Sequence, residues 1–189
     1  AGDELFCGYN RYILTDRLWN ILSLFPASLR RGLANVVTTI SPAIWSKMFG
    51  FLSYENMGDK IHKAAGVLGS TSVDDLYLGL ISHWETPESI VFNCKEPDTL
   101  LNSEMLKLSY LTPVQKMMLL DLLTYLPDDI LTKVDRAAMG VSLETRIPFL
   151  DHNVVEFAWR MPMKFKVRGG QSKWALRQIL YKYVPKELI

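Results

Sequence analysis

Apolar residues recur along this chain at spacings of three and four, and proline, glycine and serine cut the pattern into short segments. That is helical spacing. Residues 4 to 25, entered behind Asp3 as a capping residue, place Leu5, Tyr9, Tyr12, Ile13 and Leu18 at mostly helical intervals, and Pro26 ends or kinks the run. The segments PASLRRGLANVVTTI and SPAIWSKMF predict two short helices, each with proline near its first turn, where a missing N–H costs nothing. ENMGDKIHKAAGVLG predicts another, closed by glycine, and LYLGLISHW follows the acidic SVDD. TPVQKMMLLDLLTYLPDD is apolar almost all round and predicts a central buried helix. DDILTKVDRAAMGVS follows, with only Pro127 between them. Asp151 is the expected N-cap of a helix from about His152 to Met161, with Leu150 stapled onto Val155, and GGQSKWALRQILYKYV is the last helix.

Only SIVFNC and KFKVR look like strands, and neither has a partner at hairpin spacing. The pattern therefore predicts an all-α chain, one helical unit over residues 1–189, without repeats or low-complexity segments. At 189 residues, 49% hydrophobic and 22% charged, it is long enough to bury a core. It begins without methionine and stops just after a helix-ending proline, which reads as a piece of a longer chain.

A net charge of +1 creates no field that would make nucleic acid or a membrane surface the default partner. No apolar run reaches the ~18 residues of a membrane span. Cys7 and Cys94 lie far apart without zinc-type spacing, so a reducing cytoplasm is the simplest setting. His62, His83 and His152 are isolated and read as surface or helix-end residues, not ligands. The five tryptophans sit at helical core spacing and are expected to anchor the core. SLRR at 28 to 31 reads as a solvated helix face. Lys173 and Arg177 form a like-charge i,i+4 pair that wants an anion or a carboxylate opposite.

The charged stretch LTKVDRAAMGVSLETRIPFLDH is of another kind. On a helical wheel Ile130, Val134, Ala137 and Val141 share one stripe, Asp129, Lys133 and Arg136 a second, and Asp128, Thr132, Asp135 and Met139 a third. Asp129 to Lys133 is, in the plainest reading, a solvated i,i+4 pair of about 0.2–0.5 kcal/mol. Glu144 and Arg146, set between apolar neighbours, suggest more. Opposed charges in an apolar setting make either a structural network or a site, and cations beside carboxylates suit triphosphate or metal–phosphate chemistry. Periodicity leaves both open.

Two long motifs carry a resemblance. AGDELFCGYNRY resembles the GxGxDE(L/V)FGGY segment of the asparagine synthetase family, and LPDDILTKVDRAAMGVSLETRIPFLDH resembles that family's LPxDxLxKxDRxSMxxSLExRxPFLDH; SKWALRQIL and VPKEL resemble its next helix. The middle, residues 20 to 110, resembles it only loosely. The resemblance implies the helical C-terminal part of an α/β synthetase domain of the ATP-pyrophosphatase type. Such a domain, with ATP and Mg2+, adenylates the side-chain carboxylate of aspartate and releases pyrophosphate; ammonia from a separate glutaminase domain then displaces AMP. By the same resemblance Asp3 helps to hold magnesium, Glu4 stands beside it at the cofactor, Lys133, Asp135 and Arg136 are the KxDR residues, and Glu144 and Arg146 the LExR residues at the substrate end.

The family's glycine-rich SGGxDS loop and its N-terminal nucleophilic cysteine do not occur in these 189 residues, so the chain alone is expected to be inactive, and its uncovered apolar faces to self-associate. Cys7 stands where the family usually has glycine, and Ala138 where serine is common. Two other readings compete: an acceptor other than aspartate, such as a sugar acid of a surface polysaccharide, and a non-catalytic helical interaction module.

Overall fold

The computed structural model describes residues 1–49, 56–82, 84, 89–95, 97, 99, 100 and 108–188. His83 and the end of LYLGLISHW lie partly outside these residues. Helices dominate, and among the described residues no strand forms. KFKVR folds into a short helix followed by an isolated Arg168–Gln171 bridge, and SIVFNC forms turns, since neither run finds a strand to pair with. The chain divides into two compact units, Ala1–Ile13 with Asp98–Ile189, and Leu14–Pro97.

In the first unit, α1 (Gly2–Phe6) stops at Cys7, whose φ of 56° is left-handed. The Gly8 N–H then closes on the Asp3 carbonyl at 2.8 Å. The expected single helix from residue 4 to 25 is therefore broken, because a left-handed C-cap ends a helix whatever residue occupies it. Asp3 is not the cap either. It lies in the first turn behind Ala1, where the positive end of the helix favours an acid. The second helix, α2, restarts at Asn10 and runs to Leu22.

The apolar segment forms α7 (Pro113–Leu123), the seventh helix in chain order, fixed at its start by a capping box between Thr112 and Gln115. It buries Met117, Met118, Leu120 and Asp121. Pro127 does not end the helical path. A proline has no N–H and crowds the carbonyl four residues back, and here a wider π turn, Leu126–Leu131, absorbs it before α8 (Thr132–Met139) resumes α geometry. The Thr132 hydroxyl donates to the Pro127 carbonyl at 2.9 Å, satisfying an acceptor in the widened turn.

Asp151 caps α9 (His152–Arg160) as the sequence indicates, accepting the Asn153 N–H at 2.8 Å, and these bonds hold its carboxyl below the usual range. Next come α10 (Met163–Lys166) and α11 (Trp174–Leu180). The short α1 packs against α7, α9 and α11, with Leu5, Phe6 and Ala158 buried among Leu122, Val155, Trp159 and Leu176.

The second unit holds α3 (Ala27–Thr39), α4 (Pro42–Met48), α5 (Met57–Leu68) and α6 (Val73–Ile81), with α5 packed on the other three. Gly58 permits this, since a Cβ there would overlap the Pro42 carbonyl. SLRR is not wholly a solvated face. Arg31 is exposed, but Arg30 is 7% exposed and donates to the carbonyls of Phe25 (3.1 Å), Leu68 (2.8 Å) and Ser70 (2.7 Å), with its guanidinium over the Trp19 ring. Those carbonyls end helical turns and need a donor with several N–H groups.

The tryptophans anchor the core only in part, Trp159 packing against the Leu5, Phe6 and Ala158 cluster. Trp84 is exposed and the other four half-buried, while Tyr12, Tyr77 and Phe6 fill the interior. Two of the tryptophans also carry cations: Trp159 lies under Lys166, and Trp174 under Arg168.

Candidate functional site

Asp3, from the first turn of α1, meets Lys173, which precedes α11. The carboxylate and the ammonium pair at 2.8 Å, and each side chain is one-third exposed. Gly8 makes the room: a Cβ there would overlap both Asp3 Oδ1 and Lys173 Cε. The carboxylate that Lys173 wants opposite it is thus supplied from the other end of the chain. Arg177 turns away and donates to the Ser172 carbonyl at 3.2 Å.

Glu4 faces inward. It is 1% exposed and accepts the Tyr9 hydroxyl at 2.9 Å. Burial first, and the Glu4 bond second, push the Tyr9 phenol far above its ordinary range, so it stays a donor.

Beyond Tyr9 lies a cluster that sequence reasoning missed. Arg11 binds buried Asp121 through Nη2 at 2.5 Å and Nε at 3.2 Å, and the Tyr12 hydroxyl donates to the same oxygen at 2.6 Å. The Arg11 guanidinium also lies over Tyr9 (4.2 Å) and Tyr125 (5.0 Å). A buried charge paired in this way fastens the acidic motif to α7, just ahead of the π turn. A signal existed: Asp121 is the lone acid in an apolar helix, and such a group needs a partner.

A second buried cation is Lys166, 1% exposed, its ammonium 5.2 Å from the centre of the Trp159 ring. Burial pulls its pKa from the ordinary 10.5 down to about 8, opposed by the neighbouring Cys7 thiol. Burial likewise pushes Cys7 from 9.0 up to about 11, with Lys166 acting against it.

The charged stretch of the 130s and 140s is solvated. Lys133 pairs with Asp129 at 2.5 Å, with 72% of the lysine side chain exposed, and that bond raises its pKa. Asp135 and Arg136 are exposed on α8. Glu144 and Arg146 pair with each other at 2.5 Å, and their neighbours Val141 and Leu143 are themselves 76% and 59% exposed. The structure therefore brings Asp3 to Lys173 and leaves the other pairs within their own segments. No hydrogen bond or ion pair joins Asp3 or Glu4 to Lys133, Asp135, Arg136, Glu144 or Arg146.

Among the described residues no three His, Cys, Asp or Glu groups gather as a metal cage. Asp3 offers a single, partly exposed carboxylate. Magnesium fits such a donor, since it commonly takes one or two carboxylates and fills its remaining positions with water and phosphate oxygens.

Residues 1–189 match the family model described as Asparagine synthase. An asparagine synthetase [glutamine-hydrolyzing] 1 of Bacillus subtilis is 29% identical over the whole chain, which corresponds to 28% of that protein. A putative asparagine synthetase [glutamine-hydrolyzing] of Mycobacterium tuberculosis is 43% identical over 77 residues, 41% of this chain and 12% of its own length. The chain thus spans well under a third of the curated relatives it matches. No solved structure matches it.

Proposed function

Because the chain belongs to the asparagine synthase family, we propose that it forms the helical C-terminal part of an α/β synthetase domain that makes an amide from a carboxylate, ATP and ammonia. The acceptor carboxylate attacks the α-phosphorus of ATP and pyrophosphate leaves. Ammonia, released from glutamine in a domain outside this chain, then attacks the acyl carbon and AMP leaves. Aspartate is the proposed acceptor and asparagine the product, with the cytoplasm as the setting.

The observation that carries this reading is the Asp3–Lys173 pair closed over Gly8. A carboxylate and an ammonium one-third exposed at one point suit a magnesium–pyrophosphate group: the carboxylate faces the metal, the ammonium the phosphate oxygens. Bound magnesium would neutralise charge developing on the leaving pyrophosphate. Asp3 would hold that ion and Lys173 would screen the phosphate, while Glu4 fixes the α1 turn through Tyr9. Lys133, Asp135 and Arg136 lie exposed on α8, outside the core, where they would meet the nucleotide, and Glu144 and Arg146 the acceptor.

The test is aspartate-dependent ATP–pyrophosphate exchange by the full-length protein. Lys133→Ala and Arg136→Ala are expected to lower exchange by about 100-fold while leaving the thermal midpoint unchanged. Equal exchange in both variants would remove them from the reaction. A second reading keeps the chemistry and changes the acceptor to a sugar acid; exchange driven by such a carboxylate and not by aspartate would select it. No exchange with any carboxylate would select the non-catalytic module.

A further inference from the structure

The second unit holds a cavity of about 640 Å³ lined by α3, α5 and α6. Helical spacing builds two of its walls. Arg31, Asn35 and Thr38 step by four and three along one side of α3, and His62, Gly66 and Gly69 step in the same way along α5 and its C-cap. Gly69 lets the Arg31 stem lie close, since a Cβ there would stand 3.1 Å from Arg31 Cγ. The rest of the lining is small or apolar, apart from Lys63 and Ser82. The volume falls within the range of about 300–1,000 Å³ usual for small-ligand sites and exceeds what a single inorganic anion fills.

The charge around this cavity has one sign. Arg31 and Lys63 line it, and no carboxylate does. Among the described residues neither side chain makes an ion pair or a hydrogen bond, whereas the adjacent Arg30 is fastened to three carbonyls. Two cations beside one hollow match the roughly two negative charges that a phosphate monoester carries at neutral pH, and the arginine fork grips two of its oxygens. The remaining polar groups suit hydroxyls. Asn35 offers an amide and Thr38 a hydroxyl. The His62 Nε2–H donates to the Ile40 carbonyl at 2.8 Å, which leaves Nδ1 as an acceptor.

We propose that this cavity binds a sugar phosphate, with the phosphate between Arg31 and Lys63 and the sugar hydroxyls on Asn35, Thr38 and His62. The assignment does not rest on the adenylation reading: every lining residue belongs to the second unit, whereas Asp3 and Lys173 belong to the first.

Titration calorimetry of the full-length protein with glucose 6-phosphate and ribose 5-phosphate, set against glucose, ribose and inorganic phosphate, tests it. At least one ester is expected to bind with a dissociation constant on the order of 10–1,000 µM, and at least about 10-fold more tightly than its free sugar or inorganic phosphate. The double substitution Arg31→Gln with Lys63→Gln should weaken that ester at least about 10-fold while leaving the ligand-free thermal midpoint unchanged. Hydrogen exchange of the unmodified protein locates the ligand, with added protection expected in residues 31–38 and 62–69, and it decides alone should the variant lose stability. Inorganic phosphate binding as tightly as the esters would leave an anion point without a sugar site and overturns the proposal. No binding of either ester, equal binding by the double variant with its midpoint unchanged, or protection confined to other residues overturns it as well.

Discussion

Lys166 offers the most direct energetic prediction. Its ammonium is 1% exposed, rests on the Trp159 ring, and has no carboxylate partner among the described residues. The unfolded chain holds this proton up to about pH 10.5, whereas the folded chain releases it from about pH 8. Below pH 8 folding therefore carries a cost of about 3 kcal/mol at this site, relieved as pH rises from 8 towards 10.5. Cys7 acts in the opposite direction, because its unfolded thiol ionises near 9.0 and its folded thiol near 11. The two effects cancel between pH 9 and 10.5, so the net rise is confined to pH 8–9 and amounts to about 1 kcal/mol. Urea denaturation at pH 7, 8, 9 and 10 measures it. Lys166→Met is expected to be about 1–3 kcal/mol more stable at pH 7, flat between pH 8 and 9, and to lose stability above pH 9 as the Cys7 effect stands alone. A rise between pH 8 and 9 that persists in Lys166→Met would refute this account of the buried lysine.

Gly8→Ala should force Asp3 and Lys173 apart, lowering ATP–pyrophosphate exchange of the full-length protein at least about 10-fold for a stability loss of about 1 kcal/mol, read by exchange assay and thermal melt. Asp121→Asn removes the buried carboxylate that both Arg11 and the Tyr12 hydroxyl bind and should cost about 3 kcal/mol in urea. Arg30→Met strips three carbonyls of their donor and should cost about 2–3 kcal/mol, with hydrogen exchange rising first around residues 68 to 70.

Much of the helical path could be read from local chemistry. Thr112 with Gln115, Ser72 with Asp75 and Asp151 with Asn153 are caps built from neighbours, and they start helices where the residues say they should. What escaped was set by the backbone or by distant partners. A left-handed cysteine at position 7 leaves no mark in a hydrophobic pattern, and the break after α1 follows from it. Arg30 and Arg31 are adjacent and chemically identical, and only three carbonyls from other segments draw the first one inward. The same holds at the site. Lys133 found its i,i+4 partner Asp129, as spacing predicts, but Asp3 and Lys173 meet across nearly the whole chain, and no periodicity encodes that.

The central claim is that the Asp3–Lys173 pair serves the magnesium–pyrophosphate end of an adenylating reaction. Aspartate-dependent ATP–pyrophosphate exchange by the full-length protein, compared with its Asp3→Asn variant, tests it most directly. The account predicts robust exchange in the unmodified protein and a loss of at least about 100-fold in the variant, not restored by raising aspartate. Exchange at the same rate in both would contradict it.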